Sequence, residues 1–304
     1  MLRFVIRRLI HSVLTVLGVM LLTFLLFRVV AGDVSTDYVN PRLGQAGRDV
    51  WKHKHGLDRP WYVQFRDHLV TSVTFQGESY QTKEKLTTII RKRAGYSLAL
   101  TVPALVLGWI SAMVISCFVA YYRDTWIDRI GVFLSVLGMC MPFLAYMIIG
   151  QWLMFKISPV AAWGLRYRAN IYLPIGIGVI AGLGASVRFY RTIILDQVNQ
   201  DYVRTARAKG APLTTILFKH VIRNCMLPIL TNLVMAIPFL IMGSLILENF
   251  FGIPGLGGLL IDSITRRDVP IITGLTYLTS LIYVISLLIT DLLYGVFDPR
   301  IRLN

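Results

Sequence analysis

Apolar runs about as long as a bilayer is thick divide this sequence of 304 residues into candidate spans and connecting segments. A helix needs roughly 20 apolar residues to cross the hydrocarbon core of a membrane. Such runs recur at about residues 9–30, 96–121, 130–155, 171–193, 226–248 and 272–297. Because lipid offers no partner for backbone N–H and C=O groups, each span is expected to be α-helical. The pattern therefore predicts an all-α membrane protein with six transmembrane helices.

The first apolar run follows a basic start, as the core of a secretory signal peptide would. It is roughly 20 residues long, whereas the core of a signal peptide has about 7–15 residues. Further spans also follow it along the chain. We therefore interpret residues 1–30 as a cytoplasmic N-terminus and a retained first transmembrane helix.

The segment 31–95 is the only sizeable region predicted outside the membrane, and we expect it to be an extracytoplasmic loop region. It contains turn-forming glycines and short amphipathic stretches such as "RPWYVQFRDHLV". In that stretch Trp61, Phe65 and Leu69 recur at helical spacing, which predicts a helix lying on protein or on the bilayer surface. Residues 96–304 would then form a core of five helices.

Composition and charge agree with a membrane protein and indicate its orientation. The chain is 55% hydrophobic and only 15% charged, with a formal net charge of +15. Lys and Arg concentrate at both termini and in two connecting segments, 121–129 and 201–223. The positive-inside rule then places both termini in the cytoplasm. The basic residues flank the spans and form no array with exposed aromatics, so the charge does not indicate nucleic-acid binding.

No pattern in the chain indicates catalysis, a cofactor or a metal. A P-loop, an H-E-x-x-H motif and a G-x-S-x-G motif are all absent from the sequence. The three cysteines form no C-x-x-C pair, so neither a disulfide nor a thiolate metal site is expected. The glycines of "GIPGLGGLL" follow a membrane span, whereas a dinucleotide motif follows a strand. We interpret that segment as a turn and a short amphipathic helix at the outer surface.

Small and acidic residues within the spans suggest packing sites. Gly178, Gly182 and Ser186 recur every four residues, a spacing that lets another helix approach closely. The partner could be a helix of this chain or of a second membrane subunit, and the sequence leaves both open. Glu248 and Asp291 are the acids near span ends, and we interpret them as structural hydrogen-bonding groups. The spans lack the midplane charges and repeated halves of an ion-driven carrier.

A basic stretch, "DYVRTARAKGAPLTTILFKHVIRNCMLPIL", interrupts the apolar part of the chain at 201–230. On a helical wheel Val203, Ala206 and Gly210 share one face, with Tyr202 beside them. The arginines at 204 and 207 lie on the opposite side. Such a helix can lie in a protein groove while its arginines pair with acids or lipid phosphates. The proline at 212 is expected to interrupt it.

With these residues the chain resembles the integral membrane subunits of ATP-binding-cassette (ABC) importers. Their signature, the EAA motif, is Glu-Ala-Ala, three residues, Gly, nine residues and Ile-x-Leu-Pro. Arg204-Thr205-Ala206 and Gly210 match its first half, although an arginine replaces the Glu and "HVIRN" stands where Ile-x-Leu-Pro would fall. These departures resemble the dipeptide/oligopeptide branch. So do "RFVIRRL", "GLDRPWYVQF", "GSLILENFFGIPGLGGLLIDSI" and "DLLYGVFDPRIR".

The resemblance implies a multi-pass protein of the bacterial inner membrane with the type I ABC importer permease fold. It would be a permease subunit forming the translocation pathway for di- or oligopeptides. The implied partners are a second homologous permease, two ABC ATPase subunits, an extracytoplasmic substrate-binding protein and the lipid bilayer. ATP hydrolysis would take place on the separate ATPase subunits, so this chain is not expected to be an enzyme.

The resemblance also implies two sets of functional residues. A coupling helix is expected at about 200–217, with ATPase contacts from Tyr202, Val203, Arg204, Ala206, Arg207 and Gly210. Contacts with the binding protein, or a gate, are expected from Pro254, Gly255, Leu256, Gly257 and Leu260.

Other functions stay open at this point. The same family could carry nickel chelates, glutathione or a modified peptide. From other classes, a secondary transporter or a membrane-anchored sensor that transports nothing would also have apolar spans. In the sensor, the 31–95 region would bind a signalling partner.

Overall fold

A computed structural model describes residues 2–27, 32–157, 171–238 and 245–297. Among those residues, helices are the regular elements, apart from one antiparallel bridge between Glu78 and Lys85. The helices before the second predicted span are α1 (Leu2–Leu25), α2 (Ser35–Tyr38), α3 (Gly44–Lys54) and α4 (Trp61–Thr74). The remaining helices are α5 (Leu86–Tyr121), α6 (Trp126–Cys140), α7 (Phe143–Ile157), α8 (Tyr172–Val198), α9 (Asp201–Ala208), α10 (Leu213–Thr215), α11 (Ile222–Met235), α12 (Leu245–Phe250), α13 (Leu256–Thr265) and α14 (Val269–Phe297).

Four of the described helices contain stretches long and apolar enough to cross a membrane. They are Ile6–Leu25 of α1, Leu86–Tyr121, Tyr172–Val198 and Val269–Leu292 of α14. The pair α6 and α7 gives a fifth candidate if it is taken as one span bent by 99°. The predicted span at 226–248 falls on α11 and α12, and residues 239–244 of it lie outside the described residues. An all-helical membrane protein with four or five candidate spans is therefore confirmed.

The bend between α6 and α7 has a local cause at Met141 and Pro142. Proline has no backbone N–H and disfavours helical backbone in the residue before it. Met141 is accordingly extended, with ψ 125°, and α6 ends at the preceding residue. The periodicity at 130–155 predicts one span and gives no sign of this break, which a single proline causes.

The first and last described helices pack against each other. Helix α1 runs along α14. Arg8 Nε on α1 lies 2.5 Å from Asp291 Oδ2 on α14. The predicted structural role of Asp291 is thus an ion pair that joins the two ends of the chain.

Helix packing within the bundle depends on a glycine that the sequence pattern did not indicate. A Cβ added at Gly184 of α8 would lie 2.7 Å from the Ser135 carbonyl oxygen of α6, so only glycine fits there. At Gly178 it would make an ordinary contact, 3.5 Å from Ala104 Cβ of α5, and at Gly182 it would meet nothing within 4 Å. Ser186 is half-buried. The predicted small residues therefore do not form one packing face: Gly178 contacts α5, whereas no atom of the described residues covers Gly182.

In the region before α5, helix α4 packs on the C-terminal end of α1 and the N-terminal end of α14. Phe65 of α4 packs against Phe24 of α1, with ring centroids 5.3 Å apart, and Leu69 is half-buried. Trp61 of the same helix stays 58% exposed. Tyr38, Trp51, His55 and Tyr80 form a cluster of rings, in which Tyr38 and Trp51 stack with centroids 5.7 Å apart. A predicted helical spacing thus yields a helix packed on α1, with Trp61 of the predicted set left at the surface.

Candidate functional site

Helix α9 is a separate short helix on the basic segment. Gln200 before it is extended, and its carbonyl oxygen accepts the Val203 N–H at 3.0 Å. After the helix, Gly210 has φ +76°, which only glycine adopts without strain, and its N–H donates to the Arg207 carbonyl oxygen at 2.9 Å. A new helical turn starts at Pro212, whose carbonyl oxygen accepts from Ile216 N–H at 3.1 Å. Glycine and proline thus set α9 apart from the helices around it.

One face of α9 is covered by this chain's own core. Val203 is only 1% exposed and belongs to a buried cluster with side chains of α5, α8 and α11. Tyr202 and Ala206 pack against the same cluster, and the Tyr202 hydroxyl donates to Gln197 Oε1 at 3.0 Å. The small-residue face predicted to lie in a protein groove therefore lies, for Val203 and Ala206, in a groove of this chain. Helical spacing identifies a face but not the surface that covers it.

The opposite face of α9 is exposed and basic. Its exposed residues are Arg204, Thr205, Arg207, Ala208, Lys209 and Gly210. The described contacts of this face include only one acid, Asp201, whose Oδ1 lies 3.5 Å from Arg204 Nη1. Exposed cations continue beyond the helix at Lys219 and Arg223. We call α9 and these two residues the basic surface, and it suits an acidic protein groove or anionic headgroups.

A partly buried ion pair joins two spans close to α9. Arg191 of α8 donates through Nε and Nη2 to the two carboxylate oxygens of Asp128 on α6, both at 2.8 Å. The Asp124 N–H donates to the same carboxylate at 3.2 Å. Two residues join α8 to α9, so this pair fixes the helix that leads directly into the basic surface. Sequence reasoning did not identify this ion pair. The usable signal was an arginine inside one predicted span together with an acid just before another predicted span.

A second candidate site lies at the start of α13. Glu248 is 0% exposed and its carboxylate accepts from Ser97 Oγ at 2.6 Å and from Gly257 N–H at 2.7 Å. Ser97 Oγ also accepts the Leu256 N–H at 2.8 Å. A Cβ at Gly255 would collide with both side chains. The predicted structural role of Glu248 is therefore that of an acceptor for backbone N–H groups.

The residues predicted to contact a binding protein are mostly enclosed. Gly255, Leu256, Gly257 and Leu260 are buried, and Pro254 is exposed. Leu256 and Leu260 belong to an apolar cluster at the N-terminal ends of α5 and α14. The exposed positions of α13 are instead Asp262, Ile264 and Thr265. The structure thus brings the predicted set together, with most of it facing inward.

The end of α13 is attached to the region before α5. Asp268 is 2% exposed and accepts from Ser79 Oγ at 2.5 Å and from Tyr80 N–H at 3.1 Å. The Tyr38 hydroxyl donates to the Arg266 carbonyl oxygen at 2.7 Å. Burial, together with the nearby negative charge of Asp268, raises the pKa of Tyr80 to about 12 and that of Tyr38 to about 12. Both phenols therefore stay neutral at physiological pH, and Tyr38 remains a hydrogen-bond donor.

The described residues bring no three metal-ligating His, Cys, Asp or Glu side chains together. What they offer is a basic surface at one end of the spans and a hydrogen-bonded helix at the other. Such an arrangement suits contacts with other proteins at both ends.

Two family models match this chain. One, described as "Binding-protein-dependent transport system inner membrane component", matches residues 96–303. The other, described as "Binding-prot-dependent transport system membrane comp, N-term", matches residues 1–101. Together they cover almost the whole sequence.

Curated relatives match over their full length. An oligopeptide transport system permease protein of Bacillus subtilis, AppB, is 32% identical over 315 residues, covering 98% of this chain and 99% of the relative. A dipeptide transport system permease protein of Lactococcus lactis, DppB, is 31% identical and covers 100% of both chains. A glutathione transport system permease protein of Salmonella typhimurium, GsiC, is 34% identical over 99% of both chains.

Proposed function

The chain belongs to the family of inner membrane components of binding-protein-dependent transport systems, and we propose that it forms the transmembrane pathway of an ATP-driven peptide importer with a second permease subunit. The observation that supports this most directly is α9: a short helix seated on the core through Val203, with Arg204 and Arg207 exposed. A chain with no catalytic motif needs an energy source on another polypeptide, and this surface is where it would dock.

The proposed topology has six spans with both termini in the cytoplasm. Four or five candidate spans support it, together with the concentration of Lys and Arg beside the segments assigned to the inside. The sixth span would use 226–248, so that α9 lies inside and α13 outside. In a chain without native cysteines, a cysteine at the exposed Thr82 should react with an impermeant maleimide in intact cells. One at Asn304 should react only after lysis, and labelling there in intact cells would contradict the topology.

The proposed partners follow from the two ends of the bundle. Two ABC ATPase subunits would bind the basic surfaces of the two permeases. An extracytoplasmic binding protein would contact the outer surface around Pro254 and the exposed side of α13. The open side of α8 at Gly182 would face the second permease, because close approach of a foreign helix needs such a small residue.

The proposed cargo is a di- or oligopeptide, as the names of two relatives say of those proteins. Glutathione, itself a short peptide, is the second candidate, because a relative named for it is 34% identical to this chain. Nickel chelates and modified peptides gain no such support from these relatives.

Uptake into proteoliposomes that contain the whole transporter tests the function. We expect ATP-dependent accumulation of a labelled dipeptide that survives a proton uncoupler and is competed by unlabelled peptides. Competition by glutathione at lower concentrations than by dipeptides would favour the second candidate. Uptake that persists without ATP and stops with the uncoupler would instead indicate a secondary transporter. If uptake is the same with and without this chain, the chain transports nothing, and the sensor is favoured.

A further inference from the structure

Helix α13 packs against the N-terminal parts of two membrane helices, α5 and α14. Leu256, Leu259 and Leu260 pack against Leu86 of α5 and Leu275 of α14. A helix of 10 residues held by these contacts alone would be free to lift when the spans move. Two groups of hydrogen bonds hold it in addition, one at each end.

The first tie consists of Glu248, Ser97 and the backbone at the start of α13. The first N–H groups of a helix have no partner within the helix, and a carboxylate there also interacts favourably with the helix dipole. Glu248 accepts two of these groups, Gly257 N–H at 2.7 Å and Gly258 N–H at 3.2 Å, and Ser97 Oγ accepts a third. The tie therefore joins α5, α12 and α13. If α13 moved away, a carboxylate that is 0% exposed would lose its donors.

The second tie consists of Asp268, Ser79 and Tyr80. It joins the turn after α13 to the segment before α5, through the hydrogen bonds at 2.5 Å and 3.1 Å. Leu86 N–H at the start of α5 also donates to the Gly77 carbonyl oxygen at 2.8 Å, which attaches that segment to α5. Both ends of α13 are thus attached to the same span.

We propose that Glu248 and Asp268 are positioning residues that make α13, the outer end of α5 and the segment at 77–86 one rigid cover over the outer mouth of the pathway. The cover opens by displacement of its helices as a unit, and α13 does not detach from α5. Along the sequence, the stretch from α9 to Asp268 carries the basic surface and the acid of each tie. This inference rests on the proposed transport function.

A buried serine on α13 can report whether the helix stays attached. Ser263 is 3% exposed, and cysteine is close to serine in size. The reporter Ser263→Cys is placed in the complete transporter after replacement of the native cysteines Cys117, Cys140 and Cys225 by alanine. An impermeant maleimide is then added from outside. We expect slow labelling in this parent through the whole ATP cycle.

Glu248→Ala should raise the labelling rate at least tenfold, because α13 loses its first tie. Glu248→Gln should restore slow labelling, since its amide oxygen accepts Gly257 N–H and its amide N–H donates to Ser97 Oγ. Asp49→Ala, which removes an exposed acid of α3 that takes part in neither tie, is the control and should leave the labelling rate unchanged. Ser97→Ala weakens the first tie and Asp268→Asn weakens the second, each more mildly than Glu248→Ala. These two variants take its place if Glu248→Ala does not assemble.

The transport readout separates a positioning role from a purely structural one. We expect the variants that lose a tie to hydrolyse ATP while importing several-fold fewer peptides per ATP, and Glu248→Gln to recover the ratio. Unchanged labelling in Glu248→Ala, Ser97→Ala and Asp268→Asn would overturn the ties, whatever the chain transports. A parent complex without ATP-dependent uptake would contradict the proposed function and leave the labelling result valid.

Discussion

Charge reversal on the exposed face of α9 should separate subunit docking from the stability of the permease. Arg207 is exposed, and its side chain makes no described ion pair in the residues that the structure covers. Replacing an exposed side chain usually changes the free energy of unfolding by no more than about 0.5 kcal/mol. Arg207→Glu should therefore insert and melt like the parent chain.

Docking should respond much more strongly than stability. If Arg207 meets an acidic groove of the ATPase, reversing its charge removes one attraction and adds one repulsion, with a cost of at least about 2 kcal/mol. At about 1.4 kcal/mol per decade, this lowers the affinity roughly 30-fold. Salt screens such contacts, so the difference between parent and variant should shrink at high ionic strength.

The inward face gives the opposite pattern. Ala206 packs against the chain's own core, so Ala206→Glu places a charge in a partly buried site. This should lower the melting temperature of the permease itself, and any loss of docking would then follow from misfolding. Ala206 is thus a poor probe of docking, although helical spacing alone would select it.

The assay is a titration of purified ATPase onto the detergent-solubilised permease, with stimulated hydrolysis as a second readout. Arg91→Glu, which reverses an exposed arginine at the outer end of α5, is the matched control. Normal affinity and normal stimulation in Arg207→Glu, with the melting temperature unchanged, would refute docking through this face.

Three further results are expected. Gly184→Leu should lower the unfolding free energy by about 1–3 kcal/mol because its Cβ meets a backbone oxygen, and Gly182→Leu should melt like the parent, unless the assembled transporter is measured. Asp128→Asn should cost about 3 kcal/mol by leaving Arg191 without its ionised partner, and the exchange Asp128→Arg with Arg191→Asp should recover part of the loss in a melting assay. Burial lowers the pKa of His68 below its ordinary value of about 6.5, so the stability that the neutral ring provides is present above that pH and is lost as the pH falls. His68→Phe should therefore weaken the fall in melting temperature between pH 7.5 and 5.5, and an unchanged fall would contradict this.

The sequence was sufficient for the features that depend on composition and spacing. Long apolar runs predict spans because the bilayer imposes one length and one secondary structure on them. The glycine and proline around α9 mark its end for similarly local reasons, since a φ of +76° and a missing N–H act on single residues. These features need no knowledge of neighbouring helices.

The sequence was insufficient where distant residues decide the outcome. Ser97 and Glu248 are 151 positions apart, and nothing in either segment indicates that they share a hydrogen bond. The same holds for Gly184, whose close approach to Ser135 depends on how α6 crosses α8. Val203 shows a third case, in which spacing identified the face correctly and only the fold shows that it packs against this chain's own core.

The contact between the first and last helices bears on how the protein is made. Ribosomes deliver α1 to the membrane first and α14 last, yet these two helices pack together and Arg8 pairs with Asp291. Throughout synthesis, Arg8 would lack its acid and α1 would lack the helix that it contacts. A nascent chain that stops before residue 291 therefore carries α1 without the acid that pairs with Arg8. This helix pair can form only after α14 has been made, so it belongs to the last steps of folding.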